Sequence, residues 1–128
     1  YGGLVHTMPI YVIIFLFFTM ANIGLPGTGS FVGEFLILAG SFKTNTTITF
    51  FGATGMVIGG CYSLWLFNRI AYGNLKTQYF NNYLDINKRE FLIFLPLLLG
   101  TAVMGVYPSI FLNSIHFSVN MLVELMYF

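Results

Sequence analysis

Charged residues are scarce in this sequence of 128 residues. Asp, Glu, Lys and Arg make up 7% of it, whereas 57% of the residues are hydrophobic and the mean hydropathy is +0.83. Soluble domains carry roughly 25% charged residues, so the composition indicates a protein whose main solvent is lipid. The net charge is only +1 and no basic cluster occurs, which argues against a nucleic-acid partner and against a polybasic membrane-surface patch.

Cysteine and histidine are also rare in the sequence. Cys61 is the only cysteine, so the chain can form no internal disulfide, and it cannot build a metal site with two scattered histidines, His6 and His116. Each histidine lies at the edge of an apolar stretch, where a hydrogen bond to water or to a carbonyl is the simpler role. Cys61 is expected to fill apolar space. The sequence therefore predicts no redox centre or metal site in this chain alone.

The first apolar stretch, residues 9–42, follows a short lead-in, 1–8, and is too long for one membrane helix. As a straight helix it would measure roughly 51 Å, against a hydrocarbon core of about 30 Å. An interruption is available at Gly24, Pro26, Gly27 and Gly29, because proline removes a backbone donor and glycine permits left-handed turns. We therefore predict two half-helices, over 9–23 and 30–42.

The rest of the chain continues the membrane pattern. Residues 43–47 predict a short polar loop, 48–72 a second span, 73–90 an aqueous loop and 91–112 a third span. The tail, 113–128, mixes polar and apolar residues and is expected to lie at the membrane interface. The predicted fold class is an all-α integral membrane protein with three transmembrane spans, the first of them a broken helix.

Glycines form one face of the second predicted span. Gly55 and Gly59 are four residues apart, with Gly52, Gly60 and Ser63 nearby. Faces of small residues let helices approach one another closely in lipid. The sequence therefore predicts helix packing at this face.

Basic residues predict the orientation of the spans. The connection after the second span carries Arg69, Lys76, Lys88 and Arg89, whereas the loop after the first span has Lys43 alone and the tail has none. By the positive-inside rule, this connection faces the cytoplasm or the mitochondrial matrix. Residues 1–8 then share that side, and Lys43 and the C-terminus face the other.

Glu34 is the only acidic residue within a predicted span. Carboxylates inside a bilayer are costly and usually functional. Thr28 or Ser30 is expected to cap the second half-helix, which puts Glu34 in or just after its first turn. Lys43 is roughly 13 Å further along that helix and half a turn round, so it cannot pair with Glu34. Glu34 is therefore either a proton-handling group whose partner lies outside residues 1–128, or a helix cap near the surface.

Several motifs resemble a known family. Residues 21–35, ANIGLPGTGSFVGEF, are similar to the broken twelfth helix of subunit 4, one of the antiporter-like membrane subunits of respiratory complex I. This complex is the mitochondrial proton-pumping NADH:ubiquinone oxidoreductase. The likeness extends over essentially the whole chain, through Tyr1-Gly2-Gly3-Leu4, Tyr62-Ser63-Leu64-Trp65, Asn68-Arg69, Asn87-Lys88-Arg89-Glu90 and Gly105-Val106-Tyr107-Pro108.

This resemblance implies a fold and a role. The chain would supply the last three helices of a fourteen-helix subunit, with Glu34 as the proton-handling glutamate of the twelfth helix. The complex uses FMN, iron–sulfur clusters and ubiquinone, none of them bound by this chain. The implied partners are the N-terminal remainder of subunit 4, the antiporter-like subunits 2 and 5, and membrane lipids. The implied location is the mitochondrial inner membrane, with the C-terminus on the intermembrane-space side.

Three alternatives stay open at this point. The chain is either a naturally split subunit or a stretch of a longer chain. A fragment of a secondary cation/proton antiporter would use the same broken helix without electron transfer. A purely structural membrane anchor would tolerate the replacement of Glu34.

Overall fold

The computed structural model describes residues 1–75 and 84–127, and all regular structure within these ranges is helical. This confirms the all-α fold class. Lys76, in the predicted loop 73–90, lies outside the described residues. The helices of the described part are α1 (Leu4–Thr7), α2 (Pro9–Asn22), α3 (Gly29–Thr44), α4 (Thr46–Ala71), α5 (Lys88–Val106) and α6 (Ser109–Tyr127).

The first apolar stretch consists of two short helices. α2 has 14 residues and α3 has 16, so they measure about 21 and 24 Å, and neither alone crosses a hydrocarbon core of about 30 Å. Pro9 is the first residue of α2, where its missing amide costs no helical hydrogen bond. The two helices lie within two residues of the predicted half-helices 9–23 and 30–42.

Asn45 separates α3 from α4. It has extended backbone geometry and is both the C-cap residue of α3 and the N-cap residue of α4. Its Oδ1 accepts hydrogen bonds from the amides of Thr47, at 3.0 Å, and Ile48, at 3.3 Å. The loop predicted over 43–47 is therefore reduced to one residue, because the Asn45 side chain satisfies the first amides of α4 directly. α4 runs for 26 residues, long enough to span a bilayer with some tilt.

The single span predicted over 91–112 is wrong at both ends. A capping box starts the helix earlier, with the Asn87 amide donating to Glu90 Oε2 at 3.0 Å, so that α5 begins at Lys88. α5 ends at Val106, because Tyr107 leaves helical geometry before Pro108, as residues before proline tend to do.

The tail forms α6, a helix that the sequence analysis did not predict. Three helices of the described chain are long and apolar enough to cross a membrane by length and composition, namely α4, α5 and residues Ser109–Met126 of α6. The described side chains of α6 are exposed throughout most of its length. The interfacial position of residues 113–128 stays a prediction.

The remaining helices pack around α4 and the break. Val12 of α2 and Phe67 and Ala71 of α4 form a small buried cluster, and the ring centroid of Phe15 lies 5.6 Å from that of Phe67. α3 contacts both α4 and α5. Many large apolar side chains point outward, among them Ile58, which is 64% exposed. An outer surface of this kind suits lipid or further membrane helices.

Asp85 ties the segment before α5 to the start of α2. Its carboxylate accepts hydrogen bonds from the amides of Ile10, at 3.0 Å, and Tyr11, at 3.3 Å. α2 has no side-chain cap of its own, since Met8 occupies its N-cap position. Partial desolvation raises the pKa of Asp85, but the amides of Ile10, Ile86 and Tyr11 outweigh it and hold the pKa below its ordinary value of 3.8. Asp85 therefore caps α2 as a carboxylate at neutral pH.

Candidate functional site: the helix break and Glu34

α2 ends in a Schellman motif at Gly24. The Gly24 amide donates to the carbonyl of Ala21, and the Leu25 amide donates to the carbonyl of Met20, both at 3.1 Å. This pattern requires a left-handed residue, and Gly24 has φ +81°. Pro26 follows two positions later, where it cannot continue the helix. The break therefore satisfies two of the carbonyls that the end of α2 would otherwise leave unpaired.

Thr28 joins the break to α3. Its amide donates to the carbonyl of Leu25 at 3.1 Å, and its hydroxyl donates to the same carbonyl at 2.7 Å. Thr28 occupies the N-cap position of α3 but makes no side-chain cap to that helix. The cap predicted from Thr28 or Ser30 is not formed, because the Thr28 hydroxyl is used within the turn and Ser30 lies inside α3 rather than at its N-cap position.

The other glycines of the break allow α5 to approach. Gly27 has φ +98°. Gly105 of α5 lies against the backbone of Gly27 and Thr28, where an added Cβ would overlap both. A Cβ on Gly29 would lie 3.0 Å from Cβ of Met104. In the sequence, Gly105 is notable only as the first residue of the motif Gly105-Val106-Tyr107-Pro108. Its contact with the break depends on tertiary packing, which sequence spacing does not reveal.

Glu34 lies in the second turn of α3 and its carboxylate is directed back at the break. Oε2 lies so close to Gly24 that a Cβ there would collide with it. The same oxygen is buried and has no hydrogen-bond partner among the described residues. The first turn of α3 contains no acidic residue. Glu34 therefore lies beyond the first turn of α3, and one of its carboxylate oxygens is buried beside the break.

A cavity of about 410 Å³ lies beside Glu34, between the break and α4. Its polar side chains are Asn22, Glu34 and Tyr62, and the rest of its wall includes glycines of α4. Asn22 is held at the rim, where its Nδ2 donates to Oγ of Ser63 at 3.1 Å. A second cavity, of about 310 Å³, also borders Glu34 and continues along α3 and α4 past Thr49.

Most of the α4 glycines contact no other helix among the described residues, so the packing predicted for them stays a prediction. A Cβ added to Gly52 or Gly55 would meet no atom within 4 Å, and one on Gly59 would meet only Tyr62 of its own helix. A Cβ added to Gly60 would lie 3.4 Å from the side chain of Ile23, the C-cap residue of α2. Within residues 1–75 and 84–127, most of this face therefore borders open space.

The remaining candidates lie away from this site. His6 and His116 are exposed on α1 and α6, and neither lines the cavities at Glu34. Cys61 is exposed on α4 rather than filling a gap between helices of the described chain. Within residues 1–75 and 84–127, no group of three His, Cys, Asp or Glu residues could hold a metal ion.

The fold and the site define an integral membrane protein built around a broken helix, with one carboxylate oxygen of Glu34 buried beside the break. Residues 1–59 match the family described as the transmembrane part of the NADH:quinone oxidoreductases and Mrp antiporters. The chain belongs to this antiporter-like membrane subunit family, as the motifs predicted.

Individual relatives are similar along almost the whole chain. NADH-ubiquinone oxidoreductase chain 4 of Marchantia polymorpha is 55% identical over 124 residues, 97% of this chain, and that of Chondrus crispus is 53% identical over 125 residues, 98% of it. NADH-quinone oxidoreductase subunit M of Rhodobacter capsulatus is 48% identical over 124 residues, again 97%. The chain spans about a quarter of the length of these relatives, from 24% to 25%.

Proposed function

We propose that this chain is the C-terminal part of a proton-translocating membrane subunit of NADH:ubiquinone oxidoreductase, in which Glu34 takes up and releases protons. The names of the relatives support the assignment to this enzyme. The observation that carries the role of Glu34 is its Oε2, buried at a helix break without a partner among the described residues. A buried carboxylate oxygen without a partner is costly, and ionisable residues in membrane helices are functional by default.

The surroundings of Glu34 suit proton transfer. The amides of Gly24, Leu25 and Thr28 donate within the break or to the end of α2, so these three groups do not need the carboxylate as a hydrogen-bond acceptor. The carboxylate borders the two cavities described above, which give it space for a proton donor or acceptor. FMN, iron–sulfur clusters and ubiquinone would be bound by other parts of the complex, and this chain would contribute proton movement only.

Two other functions, a fragment of a secondary antiporter and a structural anchor, explain fewer of these observations. A secondary cation/proton antiporter fragment would share the broken helix, but the relatives quoted above are named as NADH dehydrogenase subunits. Co-purification with NADH dehydrogenase activity separates these two. A structural anchor gives no reason for a buried carboxylate outside the first turn of α3.

We also propose the mitochondrial inner membrane as the location, with Arg69 and Lys88 on the matrix side and the C-terminus on the intermembrane-space side. The basic residues favour this orientation. Two contacts support placing the N-terminus and the 69–90 connection on the same side of the membrane. The Gly3 amide donates to the carbonyl of Tyr72 at 3.1 Å, and the Asp85 carboxylate accepts a hydrogen bond from the Ile10 amide at the start of α2. The remainder of subunit 4, subunits 2 and 5 and lipids would cover the exposed apolar surface.

The test replaces Glu34 in the assembled complex. Glu34→Gln keeps the size and hydrogen-bonding capacity of the side chain but cannot ionise, so proton pumping and coupled NADH:quinone turnover should fall by on the order of tenfold or more, with assembly retained. Glu34→Asp should keep more activity, because it still titrates. Glu124→Gln, on the exposed face of α6, is the matched control and should pump normally. A Glu34→Gln complex that pumps at the normal rate would refute the role.

A further inference from the structure

We infer that Asn22 of α2 and Ser63 of α4 form a register pair, whose hydrogen bond fixes the position of α2 along α4 and so holds the helix break in place beside Glu34. Both are positioning residues, because they act on Glu34 through the break. Their effect on Glu34 rests on the proposed function, whereas the register of the two helices does not, so the two parts can be tested separately.

One face of α2 packs against α4. Four of its residues are spaced three, four and three apart, as neighbours on one side of a helix are, namely Val12, Phe15, Thr19 and Asn22. Val12 and Phe15 pack against Phe67, and Asn22 binds Ser63. The contacts move up α2 as they move down α4, so the two helices are antiparallel along this seam.

The apolar part of the seam selects its register only weakly. Val12, Phe15 and Phe67 meet through packing without direction, and in lipid no hydrophobic effect draws two helices together. The Thr19 hydroxyl donates to the carbonyl of Leu16 in its own helix at 2.8 Å, so it does not hold α4. Among the described residues, the bond from Asn22 to Ser63 is the only hydrogen bond that joins side chains of α2 and α4.

A single polar contact in an apolar seam specifies register. Asn22 Nδ2 donates to Oγ of Ser63 at 3.1 Å, and Ser63 is only 4% exposed. A slide of one helical turn, about 5.4 Å, would separate the two groups and leave the buried hydroxyl without this partner. The register pair therefore disfavours other positions of α2 in a way that the apolar contacts do not.

The register pair lies next to the break. Asn22 is the last residue of α2. Gly24 follows two positions later with its left-handed φ, and Glu34 Oε2 lies against it. Beside the pair, a Cβ added to Gly60 would lie 3.4 Å from the side chain of Ile23. A shift of the end of α2 along α4 would therefore move the turn against which the carboxylate lies.

The competing role for Asn22 is a direct hydrogen bond to Glu34. Asn22 lines the cavity of about 410 Å³ that Glu34 also lines, whereas Ser63 is not among the residues of its wall. A direct contact would depend on Asn22 alone, and the register pair depends on both partners. Effects confined to Asn22 variants would therefore overturn the inference.

Amide exchange in the assembled complex tests the register without reference to activity. Asn22→Leu and Ser63→Ala each remove the bond with little change in size. An interhelical hydrogen bond in a membrane shifts an equilibrium by about three- to tenfold, so the amides of Gly24 and Leu25 should exchange faster by that factor in both variants. Thr19→Val removes a buried hydroxyl from the same face of α2 and is the control. Exchange at the normal rate in Asn22→Leu or Ser63→Ala would overturn the inference.

Coupled turnover separates positioning from stability. Turnover per assembled complex should fall at least about threefold in each single variant. The double variant Asn22→Leu, Ser63→Ala leaves no polar group unpaired, so it should regain thermal stability but not turnover. Ser63→Thr keeps the hydroxyl, with space for its methyl group in a cavity of about 250 Å³ that Ser63 lines, and should turn over normally. A double variant that regains both stability and turnover would refute the positioning role.

The exchange result does not depend on the role of Glu34. If Glu34→Gln pumps normally while exchange responds to both partners, the register pair stands and the proposed function fails. If Glu34→Gln abolishes pumping while exchange responds to neither partner, the proposed function stands and the register pair fails.

Discussion

The contact between Gly24 and Glu34 gives the sharpest structural prediction, because the break contains a matched control. Gly24 and Gly27 have φ values of +81° and +98°, which alanine rarely adopts. Alanine at either position should therefore destabilise the break by at least about 1–2 kcal/mol. A Cβ at Gly24 would also collide with the Glu34 carboxylate, whereas one at Gly27 would meet nothing within 4 Å.

The two variants should separate stability from function. Both Gly24→Ala and Gly27→Ala should lower the thermal stability of the complex by a similar amount, because both distort a left-handed turn. Only Gly24→Ala displaces the carboxylate, and a misplacement of about 1 Å at a reacting group can cost on the order of a hundredfold in rate. We therefore expect coupled turnover per assembled complex to fall at least tenfold in Gly24→Ala and less than about threefold in Gly27→Ala.

The assay measures NADH:quinone turnover and proton pumping in vesicles, normalised to the amount of assembled complex. Equal losses of turnover in the two variants would show that backbone strain alone matters and that Gly24 does not position Glu34. A larger loss of turnover in Gly27→Ala would also point to backbone strain, because the φ of Gly27 lies further from the left-handed minimum than the φ of Gly24.

Three further predictions follow from other contacts. Gly105→Ala should lower stability by about 1–3 kcal/mol, because its Cβ overlaps the break, whereas Gly100→Ala should not lower it; thermal denaturation compares them. Asp85→Ala removes a cap worth about 1 kcal/mol, so amide exchange at Ile10 and Tyr11 should speed up about fivefold at neutral pH. Because the folded pKa of Asp85 is lowered, this difference should persist above pH 3.8 and disappear only as the pH falls through the folded pKa. Protease added from the intermembrane-space side should spare the connection containing Arg69 and Lys88, and cleavage there in intact organelles would refute the proposed orientation.

Element positions were predictable where one strong local signal acted alone. Pro26 and its neighbouring glycines predict a break that a run of apolar residues would otherwise hide, and the structure has its gap between Asn22 and Gly29. The predicted third span, 91–112, was less accurate, because it runs through Pro108. In the structure, Tyr107 leaves the helix and a new one begins at Ser109. Hydropathy alone does not separate a tolerated proline from one that ends a helix.

The site was predictable in composition but not in geometry. Glu34 is identifiable as the single carboxylate in an apolar stretch, and this needs no structure. Its contact with Gly24 does need one, because the turn returns α3 toward the end of α2. The helix packing predicted for Gly52, Gly55 and Gly59 of α4 stays a prediction, because the chain spans about a quarter of the length of its relatives. Small residues at helical spacing indicate close packing as readily as open space, and only the position of the neighbouring helices separates the two.

The hydrogen bonds of the break explain how a membrane helix can be interrupted beside a carboxylate. In lipid, an unpaired backbone group costs several kcal/mol, so an interruption needs its own partners. The amides of Gly24, Leu25 and Thr28 all donate within the break or to the end of α2. Glu34 Oε2 is then the buried polar side-chain atom that the described residues leave unpaired. Because these amides do not rely on the carboxylate, the proton transfer that we propose for Glu34 would leave the hydrogen bonds of the break in place.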